Sequence, residues 1–129
     1  FMHPVTTGRK ALGVTNLTAD IATMTAVAND VGIDHVFLRQ LICLARKNDV
    51  LIGFSTSGNS TNLIHAFAQA KEMGLSVITV SGFLTDNPLR KIGDLNLWVD
   101  STEYNIVEMT HHVWLVAIID YLIEAKGLA

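Results

Sequence analysis

Ser55, Thr56, Ser57, Asn59 and Ser60 gather four hydroxyls and a carboxamide around Gly58, between the apolar run Val50–Phe54 and the amphipathic stretch Asn62–Glu72. A turn of this composition between a buried strand and a helix is where an α/β fold can hold a phosphate. Backbone N–H groups and the positive end of the helix dipole face an anion there, and Ser and Thr hydroxyls add donors. The same residues also suit an ordinary polar turn closed by a good helix N-cap. A GxxxxGK[ST] nucleotide loop needs a lysine before its last hydroxyl, and this stretch has none. The G-x-G-x-x-G dinucleotide fingerprint is missing too.

Glu108, His111 and His112 form a second reactive group, within about one turn of helix. Successive helical residues point about 100° apart, so one imidazole can enter a site while the other does not. An imidazole titrates near neutrality and can take or give a proton, with a carboxylate beside it as tuning partner. The alternative is one surface or interface histidine and one hydrogen-bonded core histidine. Glu108 with either histidine has helical ligand spacing for a divalent metal such as zinc, but no third ligand accompanies them, so no metal or other cofactor is expected. His65, on the first turns of the helix after the serine-rich turn, is expected to face solvent or an interface, and Trp98 and Trp114 to pack in a core or interface. Asn29-Asp30 before Gly32 reads as a turn.

These groups need a scaffold, and the apolar pattern supplies one. Strands are expected at Ala11–Leu17, Val50–Phe54, Ser76–Val80 and Leu95–Val99. Helices are expected from Asp20 to Ala28, Asp34 to Arg46, Asn62 to Glu72 (ended by Gly74) and Glu103 to Ala125, with a turn around Asn87-Pro88. Asp20 can cap its helix or point into a site. Short apolar strands separated by helices predict a parallel sheet covered on both faces. The fold class is therefore α/β, a three-layer αβα sandwich, doubly wound, with ligands outside the carboxyl ends of the strands. Ser55-Thr56-Ser57 and Ser81-Gly82 both lie at such ends.

The chain has 129 residues, half of them hydrophobic, enough for one domain spanning 1–129 with a substantial core. A formal charge of −3 makes no electrostatic case for nucleic acid or an anionic membrane surface. The longest unbroken apolar run, Val113 to Ile119, is far below the ~20 residues of a membrane span. The single cysteine, Cys43, fits a reducing cytoplasmic compartment and reads as a small buried hydrophobe. The last helix is apolar around nearly its whole circumference, which calls for a subunit interface to cover it. A start at Phe1 without an initiator methionine suggests part of a longer protein.

The segment from Asp49 to Ile64, continuing from Ala68 to Gly82, resembles the core motif of sugar isomerase (SIS) domains. Asp20, Ala28-Asn29-Asp30-Val31-Gly32, Asp100-Ser101-Thr102 and Tyr104-Asn105 follow in the order of the phosphoheptose isomerase branch. The resemblance runs from about Gly8 onward. It implies the SIS fold and a sugar phosphate ligand, with Ser55, Thr56, Ser57 and Ser60 as phosphate contacts, Gly58 and Asn59 shaping the turn, and Asp20 near the sugar hydroxyls. It also implies a homotetramer whose sites combine helices of neighbouring subunits.

The match breaks at the catalytic residues. The family uses a glutamate on an N-terminal helix, a Gly-rich serine loop upstream, and a glutamine and a histidine on the last helix. With Glu108 on the glutamate that follows the family glutamine, Val107 takes the glutamine position and Leu115 the histidine position. Glu108, His111 and His112 are the nearest substitutes. Two functions follow from the resemblance: an aldose–ketose isomerase of the phosphoheptose type, or a non-catalytic SIS module that binds a sugar phosphate or a protein partner for regulation.

Overall fold

A computed structural model describes residues 13–125. In chain order it contains helix α1 (Ile21–Asp30), a short 3₁₀ helix (Ile33–His35), α2 (Val36–Leu44), β1 (Val50–Ser55), α3 (Thr61–Glu72), β2 (Ser76–Ser81), α4 (Pro88–Ile92), β3 (Leu95–Trp98) and α5 (Tyr104–Ala125). The strands form a parallel sheet in the order β1-β2-β3, with Val50 opposite Ser76, Ser55 opposite Ser81 and Ser81 opposite Trp98.

Side chains alternate across the sheet, so each strand presents one set of residues to each face. Leu51 and Gly53 of β1, Val77 and Thr79 of β2 and Asn96 of β3 share the face packed by α2, α3 and α4. Gly53 lies against the Phe67 ring of α3, and a Cβ at that position would overlap it. The core on this side joins Leu41, Ala66, Phe67, Ala70, Leu75, Val77 and Leu89. The opposite face carries Ile52, Phe54, Val80 and Leu97 and receives α5. Helices on both faces make the αβα sandwich that the strand pattern predicts.

The two faces are unequally covered. Only Val107 and His111 of α5 are buried, while Val50, Ile52 and Phe54 on its side of β1 are 53%, 40% and 41% exposed. α5 has the length and apolarity of a membrane-spanning helix. It nevertheless lies against the sheet and carries Glu108, His111, His112 and Asp120.

Most expected elements are present, with four corrections. The strand expected at Ala11–Leu17 is absent over its described part, where residues 13–20 are turn and coil; Ala11 and Leu12 lie outside the described residues. Gln40 ties this stretch to α2 by donating to the Leu17 carbonyl at 3.0 Å, so a side chain replaces a sheet ladder. Asn29 and Asp30 belong to the end of α1, and the chain turns one residue later, through Gly32 at φ +119°. The Asn87-Pro88 turn opens helix α4, with Asn87 as N-cap and Pro88 in the first turn. Cys43 is exposed, because α2 buries Val36, Gln40 and Leu41 instead.

α3 ends as the sequence predicts. Gly74 takes φ +74°, and the Leu75 N–H returns to the Ala70 carbonyl at 3.0 Å, satisfying a carbonyl the helix leaves free.

Candidate functional site

The pairing of Ser55 with Ser81 brings the loops after β1 and β2 to the same edge of the sheet, side by side. In the first loop the Gly58 N–H donates to the Ser55 carbonyl and to the Ser55 hydroxyl, each at 3.1 Å. The Ser55 and Ser60 hydroxyls lie 2.9 Å apart, and the Ser57 hydroxyl accepts from the Asn59 N–H at 3.3 Å. Ser60 is the N-cap of α3 but makes no side-chain capping bond. The Leu63 and Ile64 N–H groups donate to the Ser60 carbonyl, each at 3.0 Å, so the donors that the hydroxyl cluster stands beside at the positive end of the dipole are those of Thr61 and Asn62. This arrangement can hold an oxyanion.

The second loop and α5 complete the surroundings. The Gly82 N–H donates to the Thr56 carbonyl at 3.0 Å, and Val107 packs so closely on Gly82 that a Cβ there would lie 2.7 Å from its methyl groups. The Thr56 hydroxyl donates to the Glu108 carboxylate at 3.3 Å. A cavity of about 330 Å³ beside this contact is lined by Phe54, Thr56, Glu108, His111, His112 and Leu115.

The two histidines differ in environment. His111 is 5% exposed and lies 3.2 Å from the Ser81 carbonyl through Nε2. A carbonyl only accepts, so Nε2 is the donor in this contact. The His111 ring stacks on Trp114 and leans on Phe54, with centroids 6.2 and 6.1 Å away. His112 and Glu108 are exposed. A carboxylate and an imidazole facing one cavity, beside a turn suited to phosphate, can move protons on a ligand anchored by that phosphate.

Other predicted residues fall elsewhere. Asp20 caps α1, accepting from the Thr23 N–H at 3.1 Å and the Thr23 hydroxyl at 2.5 Å. Those bonds, the hydroxyl first, hold its carboxyl below the usual carboxylate range. Both carboxylate oxygens are used in the cap, and Asp20 is not part of the cavity wall. His65 is half-buried, donating through Nδ1 to the Asp34 carbonyl at 3.3 Å and meeting His35 edge-on. Trp98 lies under the Arg90 guanidinium at 4.7 Å, and Trp114 lines an apolar groove with Leu97, Ala117, Ile118 and Tyr121. Among the described residues no three His, Cys, Asp or Glu side chains converge.

Sequence reasoning missed Phe54 as a cavity wall and Asn87 as a neighbour of the turn. An Asn-Pro pair before an amphipathic stretch is itself a helix-start signal, and it marks Asn87 as a cap rather than a loop residue.

The SIS domain model matches residues 5–82, which contain the whole serine-rich turn and β2. The chain belongs to the SIS domain family. Among curated relatives, the phosphoheptose isomerase of Helicobacter pylori (strain Shi470) is 39% identical over 103 residues, covering 80% of this chain and 53% of the relative. That of Aliarcobacter butzleri (strain RM4018) is 41% identical over 105 residues, covering 81% and 55%. The chain thus spans about half the length of the curated relatives it matches. A solved phosphoheptose isomerase from Francisella tularensis superposes with a TM-score of 0.84 at 29% identity, over 88% of this chain and 61% of that one. The phosphoheptose isomerase of Neisseria gonorrhoeae gives 0.78 at 36% identity, over 82% and 59%. The αβα sandwich is therefore the SIS fold. The matched family segment ends at Gly82, before α5, so Glu108, His111 and His112 lie outside it.

Proposed function

We propose that this SIS domain serves aldose–ketose isomerisation of a sugar phosphate, as in a phosphoheptose isomerase. Moving a proton between adjacent carbons requires a base, an acid at the carbonyl and an anchor for the remote phosphate. Ser55, Thr56, Ser57 and Ser60, with Gly58 and Asn59 shaping the turn, are the anchor. Glu108 and one histidine of the pair His111–His112 exchange the protons through an enediol-like intermediate.

The contact between Thr56 and Glu108 carries the reading, because it sets a carboxylate at the border of the anion turn. A phosphate on the turn repels that carboxylate, so the sugar carbons, and not the phosphate, are its natural neighbours. The active form is a homo-oligomer, a tetramer in keeping with the resemblance, working in the cytoplasm without a cofactor.

A regulatory sugar phosphate binder is the second reading, and one observation favours it. Val107 is fully buried against Gly82 and Leu115 is in the cavity wall, the two positions where the resemblance puts a glutamine and a histidine. Turnover measured on the full-length protein separates the two. For an isomerase, Glu108→Gln and His111→Ala should each cost ~10²- to 10⁴-fold in kcat while phosphate affinity is kept. If both variants work at the parent rate, these residues are structural. If the parent binds sugar phosphates but turns none over, the regulatory reading stands.

A further inference from the structure

Asn87 lies outside the serine-rich turn in sequence but directly beneath it in space. Its side chain is buried, the residue being 3% exposed. The carboxamide nitrogen donates to the Ser81 hydroxyl at 3.1 Å, the Gly82 carbonyl at 3.1 Å and the Leu84 carbonyl at 2.9 Å. The carboxamide oxygen accepts from the Arg90 N–H at 3.2 Å, capping α4. Gly58, at φ +66°, rests on this group so closely that any Cβ there would overlap it.

A second contact fixes the direction of the turn. The Leu89 N–H, in the first turn of α4, donates to the Gly58 carbonyl at 3.2 Å. In a trans peptide the C=O and the following N–H point in opposite directions. Tethering the Gly58 carbonyl to α4 therefore aims the Asn59 N–H away from α4, toward the Ser57 hydroxyl at 3.3 Å. Asn87 positions α4 through its cap, supports Gly58 by contact, and holds the loop after β2 through its two carboxamide N–H groups, shared among three acceptors.

We infer that Asn87 is a positioning residue for the phosphate turn, setting the orientation of the Gly58–Asn59 peptide and hence the affinity for a phosphate monoester. The inference rests on the phosphate reading of Ser55–Ser60. No other side chain of similar size accepts from a helix N–H while donating to several acceptors: Asp keeps the cap but cannot donate, and Ser keeps the cap but is too short to support Gly58.

Calorimetric titration of the whole chain with inorganic phosphate, and with a sugar phosphate, tests this on Asn87→Asp and Asn87→Ser. Leu41→Ala, a core change outside the turn, is the control for lost stability. Phosphate affinity should fall about fivefold to tenfold in the folded Asn87 variants and stay at the parent value in Leu41→Ala. In an active full-length enzyme KM for the sugar phosphate should rise with kcat unchanged. Asn87→Ser carries the test if the buried charge of Asn87→Asp prevents folding. Parent-like affinity in folded Asn87 variants, or an equal loss in Leu41→Ala, overturns the positioning role alone. Absence of phosphate binding by the parent chain overturns the phosphate reading and this inference with it.

Discussion

Ser55 and Ser57 differ in how they are committed, and that difference sets what their loss should cost. The Ser55 hydroxyl is buried and shared between Gly58 and Ser60, whereas the Ser57 hydroxyl holds only the Asn59 N–H. Replacing both with Ala removes two donors from the turn, so sugar phosphate affinity should weaken at least about tenfold, or 1.4 kcal/mol, with the fold kept. Unchanged affinity by calorimetry refutes their assignment. Asp94 tests a structural pair at the other end of the strands. Lys71 binds its carboxylate, and the Val77 N–H donates to it at 2.8 Å; the Lys71 bond first and the Val77 bond second hold its carboxyl below the ordinary 3.8. A pKa lowered by folding adds stability above the unfolded value and loses it as pH falls through the folded one. The thermal midpoint should therefore drop on acidification below about pH 4, and Asp94→Asn should flatten that decline. An identical pH profile in the variant assigns the acid sensitivity to other groups.

Elements place these residues because their packing permits only one arrangement. Gly53 has ordinary strand geometry, yet Phe67 occupies the space any side chain would need, so α3 lies close on β1 and starts where the turn ends. Gly53→Ala should cost about 1–3 kcal/mol in denaturant unfolding, the usual penalty of overpacking. A neutral result implies that Phe67 has a free second rotamer. α1 is tied to the fold differently. Its start rests on Asp20, and Asp20→Ala should lower the melting temperature while leaving sugar phosphate affinity unchanged. A large loss of affinity with unchanged melting would instead give Asp20 the ligand role that the family resemblance implies.

For the whole molecule, the uneven cover of the sheet is the governing fact. α2, α3 and α4 fill one face, while α5 leaves Val50, Ile52 and Phe54 open and itself exposes Met109, Val113 and Tyr121 at 60% or more. Exposed apolar surface of this extent is what a subunit interface would cover. A homo-oligomer closed through α5 is the expected state, and light scattering should report several times 14.1 kDa. A stable monomer at micromolar concentration removes this expectation. Closure there would also bring new neighbours to Glu108 and His112, which are exposed on the same helix.

Local chemistry made much of this legible in the sequence. Strand and helix periods fix β1, α3, β2, β3 and α5, and a glycine past a helical run ends α3 at Gly74, because backbone sterics and apolar burial act within a few residues. The serine-rich turn was readable for the same reason, since a hydroxyl-bearing strand-to-helix junction carries its own donors. What sequence could not decide were contacts between distant segments. Thr56 and Glu108 are 52 positions apart, and only the placement of α5 on the sheet joins them. Which of His111 and His112 is buried depends on how α5 rotates against β2. The turn and coil at residues 13–17, where a strand is expected, and the exposed Cys43 follow similarly, because ladder partners and buried faces are chosen by tertiary packing, not by a segment's own pattern.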